Sequence, residues 1–224
     1  MERVQTGSRV LDAALAGGIT PGTSLLVSGE EGAGATEFAL TLLHAASLAK
    51  EGHKAMFASA LRSAARVRAE VAALFEDGAE AKIEVRVLRS AIAPDDVAEL
   101  LAGLQKGDVL VVESADSLAK PGDGWSVMPL WHELADAAHA QGVVLLLLHA
   151  PGTLPAPVEA HLAEGADGVL RFSWQDGGPA RRRILVISKL RGLAPVLGGD
   201  HVPLFEVALE PGLGYTISME NSVV

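Results

Sequence analysis

The sequence predicts an α/β protein with a central, mostly parallel sheet flanked by helices and a C-terminal antiparallel extension. Three observations lead there. Short aliphatic runs alternate with alanine-rich stretches of helical period through the first two-thirds of the chain. The first such run leads directly into a glycine loop, Gly29 to Thr36, that opens a helix. From Gly168 onward the helical stretches stop while strand-like runs continue. At 224 residues and 49% hydrophobic, the chain can bury a good core as one domain spanning 1–224. Aromatics are only 4%, so that core should be aliphatic.

Taken in order, Thr23–Ser28 is the first predicted strand and Thr36–Lys50 a helix with Phe38, Leu42, Leu43 and Ala46 on its inner face. Lys54–Ala60 is the second strand, followed by a helix from about Ser63 to Phe75. Ile83–Leu88 is the third strand, and Pro94 or Asp95 opens a helix ending near Gly103. Val109–Val112 is a continuous, buried strand. The loop Pro121–Trp125 precedes a helix to about Gln141, and Val143–His149 is the next strand. Pro151, Pro155 and Pro157 predict an irregular exit from it. Val169–Phe172, Arg183–Lys189, Leu204–Leu209 and Tyr215–Ser218 then make the antiparallel extension.

The glycine loop reads G-E-E-G-A-G-A-T. A phosphate-binding loop of the pattern G-x-x-x-x-G-K-[ST] uses glycines so that backbone N–H groups can cradle phosphates, a lysine to reach them, and a hydroxyl to bind Mg²⁺. Gly29, Gly32, Gly34 and Thr36 supply the shape and the hydroxyl, while Ala35 stands where the lysine belongs. Losing that charge-assisted contact removes roughly 1.5–3 kcal/mol. Glu30, Glu31 and Glu37 each add on the order of 1 kcal/mol of repulsion toward a phosphate in water-like surroundings. The expectation is a vestigial site that binds ATP with Mg²⁺ weakly if at all, with no other cofactor implied.

The net charge of −10 disfavours a broad nucleic-acid surface, so DNA is not an expected partner. The one dense basic stretch, Arg181 to Arg183, reads as a solvated strand end, with an anion or partner contact as the alternative. No cysteine is present, which rules out disulfides and thiolate metal sites and fits a reducing compartment. No apolar run is long enough to cross a bilayer and no secretory signal region opens the chain, so a cytoplasmic protein without a membrane partner is expected. The histidines lack zinc-site spacing, although His149, ending a core strand, is a candidate sensor of a bound group.

Four motifs in order add a resemblance. Thr6-Gly7-Ser8-Arg9-Val10-Leu11-Asp12 with Leu15-Ala16-Gly17-Gly18-Ile19 resembles the segment that precedes the phosphate loop in RecA-superfamily ATPases of the KaiC and RadA-like branch. Asp108 to Ser114 resembles the Walker B strand, with Glu113 where an aspartate is usual. Ala166-Asp167-Gly168-Val169-Leu170 resembles the turn into the antiparallel strands, and Ser188-Lys189-Leu190-Arg191-Gly192 the K-x-R-G segment. The resemblance implies a RecA-like P-loop fold, a metal-ligand role for the position of Glu113, and Lys189 and Arg191 reaching a neighbouring subunit's nucleotide.

The chain departs from that pattern where chemistry is done. The water-polarising glutamate pair expected after the second strand is replaced by Leu61 and Arg62, neither of which can accept a proton. With Ala35 and the longer Glu113, this gives the expectation of a pseudo-ATPase, not an enzyme, acting as a regulatory, scaffold or signalling subunit. Its expected partner is itself or a RecA/KaiC-family relative, contacted through Lys189 and Arg191. Two rivals stay open: a weak or partner-dependent ATPase with a relocated cation, and a recombination accessory protein that binds DNA or a recombinase.

Overall fold

The structure is a computed structural model that describes residues 3–49, 53–75, 82–88, 94–177, 180–191, 204–210, 212 and 214–219. Lys50 at the predicted helix end, Gly192 of the K-x-R-G segment and His201 lie outside the described residues. Nine strands form one sheet in the order β3-β2-β4-β5-β1-β6-β7-β8-β9. The strands are β1 Ser24–Gly29, β2 Ala55–Ser59, β3 Ile83–Val87, β4 Val109–Glu113, β5 Val144–His149, β6 Gly168–Gly177, β7 Ala180–Leu190, β8 Leu204–Glu210 and β9 Gly214–Met219. Pairings from β3 through to β6 are parallel, and those from β6 to β9 antiparallel. The change of sense falls at Gly168, where the sequence alternation changes.

Helices α2 (Ala35–Ala49) and α3 (Ala64–Leu74) cover one face of the sheet. Helices α4 (Pro94–Leu101), α6 (Val127–Gln141) and α7 (Ala156–Gly165) cover the other, with the short α5 (Ala115–Leu118) beside them. The period-2 geometry of a strand divides β4 between the two cores: Val109 and Val111 face α2, while Leu110 and Val112 face α6. Because both faces are covered, central strands read as unbroken aliphatic runs. Phe38, Leu40, Leu42 and Leu43 of α2 are fully buried. Burial of each such side chain contributes about 1.5–3 kcal/mol, which fixes α2, and with it the loop that it follows, against the sheet.

Besides the short α5, two elements differ from the sequence reading. α1 (Arg9–Ala14) forms within the first motif, N-capped by Ser8, whose side chain accepts from the Leu11 N–H. Asp12 Oδ1 accepts from Thr6 N at 2.8 Å and Thr6 Oγ1 at 2.9 Å, so the T-G…L-D spacing closes a local structural knot. The proline-rich segment after β5, expected to be irregular throughout, contains α7, with Pro155 as its N-cap and Pro157 near its start. Proline is tolerated there because the first-turn N–H groups have no helical acceptor.

Candidate functional site

The glycine loop joins the C-terminal end of β1 to α2, where open α/β sheets gather ligands. Its conformation requires glycine: Gly32 has φ 71° and Gly34 φ 106°. The turn is fastened by Ala33 N donating to Glu30 O at 3.0 Å and Phe38 N to Gly34 O at 2.9 Å. Beneath it Phe38, Phe172 and Tyr215 pack with ring centroids 5.5–5.8 Å apart. Gly29, Gly32, Gly34, Ala35 and Thr36 all line one cavity of about 500 Å³ that Glu113 also reaches. The structure thus brings together the loop residues and the Walker B-like position read from the sequence.

Register explains the opposite wall. Ser59 of β2 pairs with Glu113 of β4. Ser59 Oγ donates to Glu113 Oε2 at 2.7 Å and accepts from the N–H groups of Leu61 and Arg62 at 3.1 and 3.0 Å. That turn aims Arg62 back at the same carboxylate: Nε donates to Glu113 Oε2 at 2.9 Å. Nη2 stands 2.8 Å from Oε1, an ion pair outside hydrogen-bond alignment. Arg62 also pairs with Glu70 of α3. Both oxygens of Glu113 are therefore engaged by a guanidinium lodged beside the position where a metal ligand would need them. Burial, with Glu37 and Glu113 nearby, raises the Glu70 carboxyl above its ordinary 4.5, partly countered by Arg62.

Arg183, Trp174 and Glu70 complete the surroundings, and sequence reasoning had not assigned them to the site. β7 pairs Arg183 with Trp174 of β6. Trp174 Nε1 donates to Glu31 O at 3.0 Å, and Arg183 Nε donates to Gly32 O at 2.9 Å. The Arg183 guanidinium lies 4.7 Å from the Trp174 ring centroid. Arg181 pairs with Asp176 and Arg182 with Glu206. The arginine triplet is thus paired within the chain, and one of its members clasps the loop from outside. The readable signal was the Trp174…Arg183 spacing across a tight hairpin, which makes the two cross-strand neighbours.

His149 ends β5 beside Ser28 and is among the residues that line the cavity. Its side chain is only 2% exposed, with Nε2 3.1 Å from Glu159 Oε1 but not aligned as a hydrogen bond. Burial lowers its pKa below the ordinary value of 6.5, and Glu159 opposes that shift. Among the described residues no group of three or more His, Asp or Glu is placed to hold a metal ion.

Lys189 and Arg191 lie at the far end of the sheet, six or more residues along β7 from Arg183, or roughly 20 Å. Lys189 Nζ donates to the carbonyls of Ala163 and Glu164 at 3.1 and 2.6 Å. Arg191 donates to Asp167 Oδ1 at 3.2 Å and to Glu164 O at 3.4 Å. Both therefore satisfy the C-terminal carbonyls of α7 in their own chain, a role the sequence reading did not give them. Of the two other tryptophans, Trp131 is fully buried, while Trp125 is 48% exposed and packs edge-on to His161. No helix among the described residues is long and apolar enough to cross a membrane.

The fold is similar to that of the KaiC-like protein PH0186 from the hyperthermophilic archaeon Pyrococcus horikoshii OT3. The TM-score is 0.75 at 22% identity, covering 97% of this chain and 99% of that one. It is also similar to the flagellar accessory protein FlaH from Methanocaldococcus jannaschii, with TM-score 0.70, 16% identity and coverage of 97% and 98%. The likeness establishes the RecA/KaiC-like fold. No curated protein sequence matches this chain. Residues 3–197 match DUF7125, a family of unknown function, and the chain belongs to that family.

Proposed function

We propose that this chain is a RecA/KaiC-type domain that does not hydrolyse ATP and acts as a regulatory or scaffold subunit through protein–protein contact. The observation that carries this reading is the engagement of Glu113 by Arg62 and Ser59. A metal ligand must offer a free oxygen, and a water-activating base must accept a proton; here a permanently charged arginine occupies the base's position and holds the ligand. Ala35 leaves the loop without its cation, and Glu30, Glu31 and Glu37 border the place where phosphates would sit. The residues present do not fit Mg²⁺-ATP, so no phosphoryl-transfer step is derived for them.

The rival, an ATPase with a relocated cation, has one specific observation in its favour: Arg183 reaches the loop from β7. Its Nε is committed to a loop carbonyl and its plane to Trp174, which supports a clasp over a phosphate ligand. The test is ATP turnover by the purified protein alongside Arg183→Ala and Thr36→Ala variants. The expected rate equals a buffer blank in all three. Turnover that survives purification and falls in either variant overturns the proposal. Ala35→Lys is expected to tighten nucleotide binding without creating turnover, because no base accompanies it.

A further inference from the structure

A second cavity, of about 170 Å³, lies at the edge of the sheet opposite the glycine loop. It opens between the N-terminal segment, the end of α2 and the turns that lead into β1, β2 and β4. Val4, Pro21, Ala46 and Ala49 give it apolar walls, and Arg3, His53 and Lys106 join them. The walls are fastened. Val4 and Ile19 exchange backbone hydrogen bonds at 2.8 and 2.7 Å, and Gly107 N donates to Gly142 O at 3.0 Å. Arg3 is held too, its Nη1 donating to the carbonyls of Leu15 and Gly18 at 3.1 and 3.0 Å. Its Nε and Nη2 have no partner among the described residues, and Lys106 has no ion pair there. No described Asp or Glu lines this cavity, although acidic residues outnumber basic ones 28 to 18 in the chain. The contrast is with the glycine-loop cavity, where Glu30, Glu31, Glu37, Glu70, Glu113 and Asp116 gather. Asp108 stands 3.4 Å from His53 Nδ1, but its oxygens already accept from Lys54 N and Gln105 N. Arg3 and Lys106 are thus two cations on one cavity with no counter-ion among the described residues.

We propose that this cavity binds a small carboxylate with a compact apolar body the size of a single ring. Its carboxylate meets Arg3 and Lys106, and its body lies against Val4, Pro21, Ala46 and Ala49. The proposal stands whether or not the glycine loop, at the other edge of the sheet, binds nucleotide. Volume sets the size: an apolar cavity of about 150 Å³ admits benzene, so this one has room for one ring. Charge sets the class, because guanidinium and ammonium groups make their strongest hydrogen bonds to an anionic oxygen. The apolar walls separate such an acid from inorganic phosphate, which is polar on every side and gains nothing from them. A glutamate on a partner protein would bring the charge but only a short stem to fill the cavity.

The test uses the full chain, ¹⁵N-labelled, titrated at low salt with benzoate, benzamide, inorganic phosphate and acetyl-Ala-Glu-Ala-amide. Benzoate is expected to shift the amides of Val4, Gln5, Ala49 and Gly107. Benzamide, of the same shape but uncharged, should bind at least about tenfold more weakly. Lys106→Met keeps the stem, removes the charge and breaks no bond among the described residues; it should weaken benzoate about fivefold. Ala49→Leu fills the cavity from an exposed helix position and should weaken benzoate at least about tenfold. The same spectra report whether both variants are folded. No binding of benzoate, equal binding of benzamide, shifts that map elsewhere, or indifference to either variant each overturns the proposal. Phosphate binding as tightly as benzoate would make this a simple anion site, and a peptide binding more tightly than benzoate would assign it to a partner protein. Either result overturns the proposal as well.

Discussion

At the N-terminal edge of the parallel strands, Asp108 and Asp167 are each tied to the start of a neighbouring strand. Asp108 accepts from Lys54 N at 2.9 Å and Gln105 N at 2.8 Å. Asp167 accepts from Ser24 N at 3.0 Å and Ser24 Oγ at 2.9 Å, and pairs with Arg191. At the opposite edge the carboxylates around the glycine loop outnumber the cations paired with them. The same residue types therefore do different work at the two ends. Where both oxygens of a carboxylate are held by neighbouring donors, the charge fixes geometry; where a carboxylate has no such donors, it is open to solvent or to a ligand. A carboxylate is informative about function here only after its partners have been counted.

The sharpest way to break this comparison is to unmake one bond at each edge. Asp108 is fully buried, so Asp108→Ala strands two backbone N–H donors and should cost about 2–4 kcal/mol in urea unfolding. If the loss is under half of that, the structural edge is not held as described. Arg62→Ala leaves Glu70 and Glu113 facing one another across the cavity. Because Arg62 is partly solvated, the expected loss is smaller, about 1–3 kcal/mol at neutral pH. The sign with pH follows from Glu70, whose folded carboxyl is held above 4.5. Such a group opposes folding when ionised and relaxes as pH falls toward 4.5, so the variant should regain part of its loss between pH 7.5 and 5. A loss that grows on acidification would contradict the assigned network.

Much of this was legible in the sequence, for identifiable reasons. The strands Ala55–Ser59, Val109–Glu113 and Val144–His149 announce themselves because a sheet covered on both faces needs unbroken aliphatic runs. Gly29, Gly32 and Gly34 announce the loop because a phosphate-loop backbone tolerates little else. What was not legible depended on register or on long reach. Nothing local says that Ser59 lies opposite Glu113, or that Arg62 turns back onto it. The loop clasp by Arg183 required knowing that β6 and β7 form a hairpin whose first strand pairs beside β1. α7 was hidden because Pro151, Pro155 and Pro157 read as punctuation, although a proline at a helix start carries the opposite meaning. Lys189 and Arg191 were read as neighbours on one strand face, but Arg191 lies beyond the end of β7, and their contacts within the chain were invisible without α7.

The next prediction sharpens the satisfied edge. Lys189→Ala with Arg191→Ala removes the donors to the last turn of α7 and should cost on the order of 1 kcal/mol. Amide exchange should quicken first near Ala163 to Ala166. If the double variant instead changes the mass in solution while its stability is unaltered, the two cations serve a subunit interface and not the helix end.

The smallest expected effect isolates the unsatisfied edge. His149 has a folded pKa below 6.5, chiefly because burial disfavours its charged form, with Glu159 and Asp116 pulling the other way and Arg171 adding to the depression. A histidine that the fold holds neutral contributes stability above its unfolded pKa, and that contribution is lost as pH falls from 6.5 through the folded value. Wild-type stability should therefore decline between pH 7.5 and 5.5 more steeply than that of His149→Gln, which cannot take up the proton. The comparison is of slopes, since glutamine in this confined site will itself lower stability at every pH. Urea midpoints at the two pH values are sufficient to measure it. Parallel slopes would mean that the imidazole is solvated in solution and not held neutral by burial.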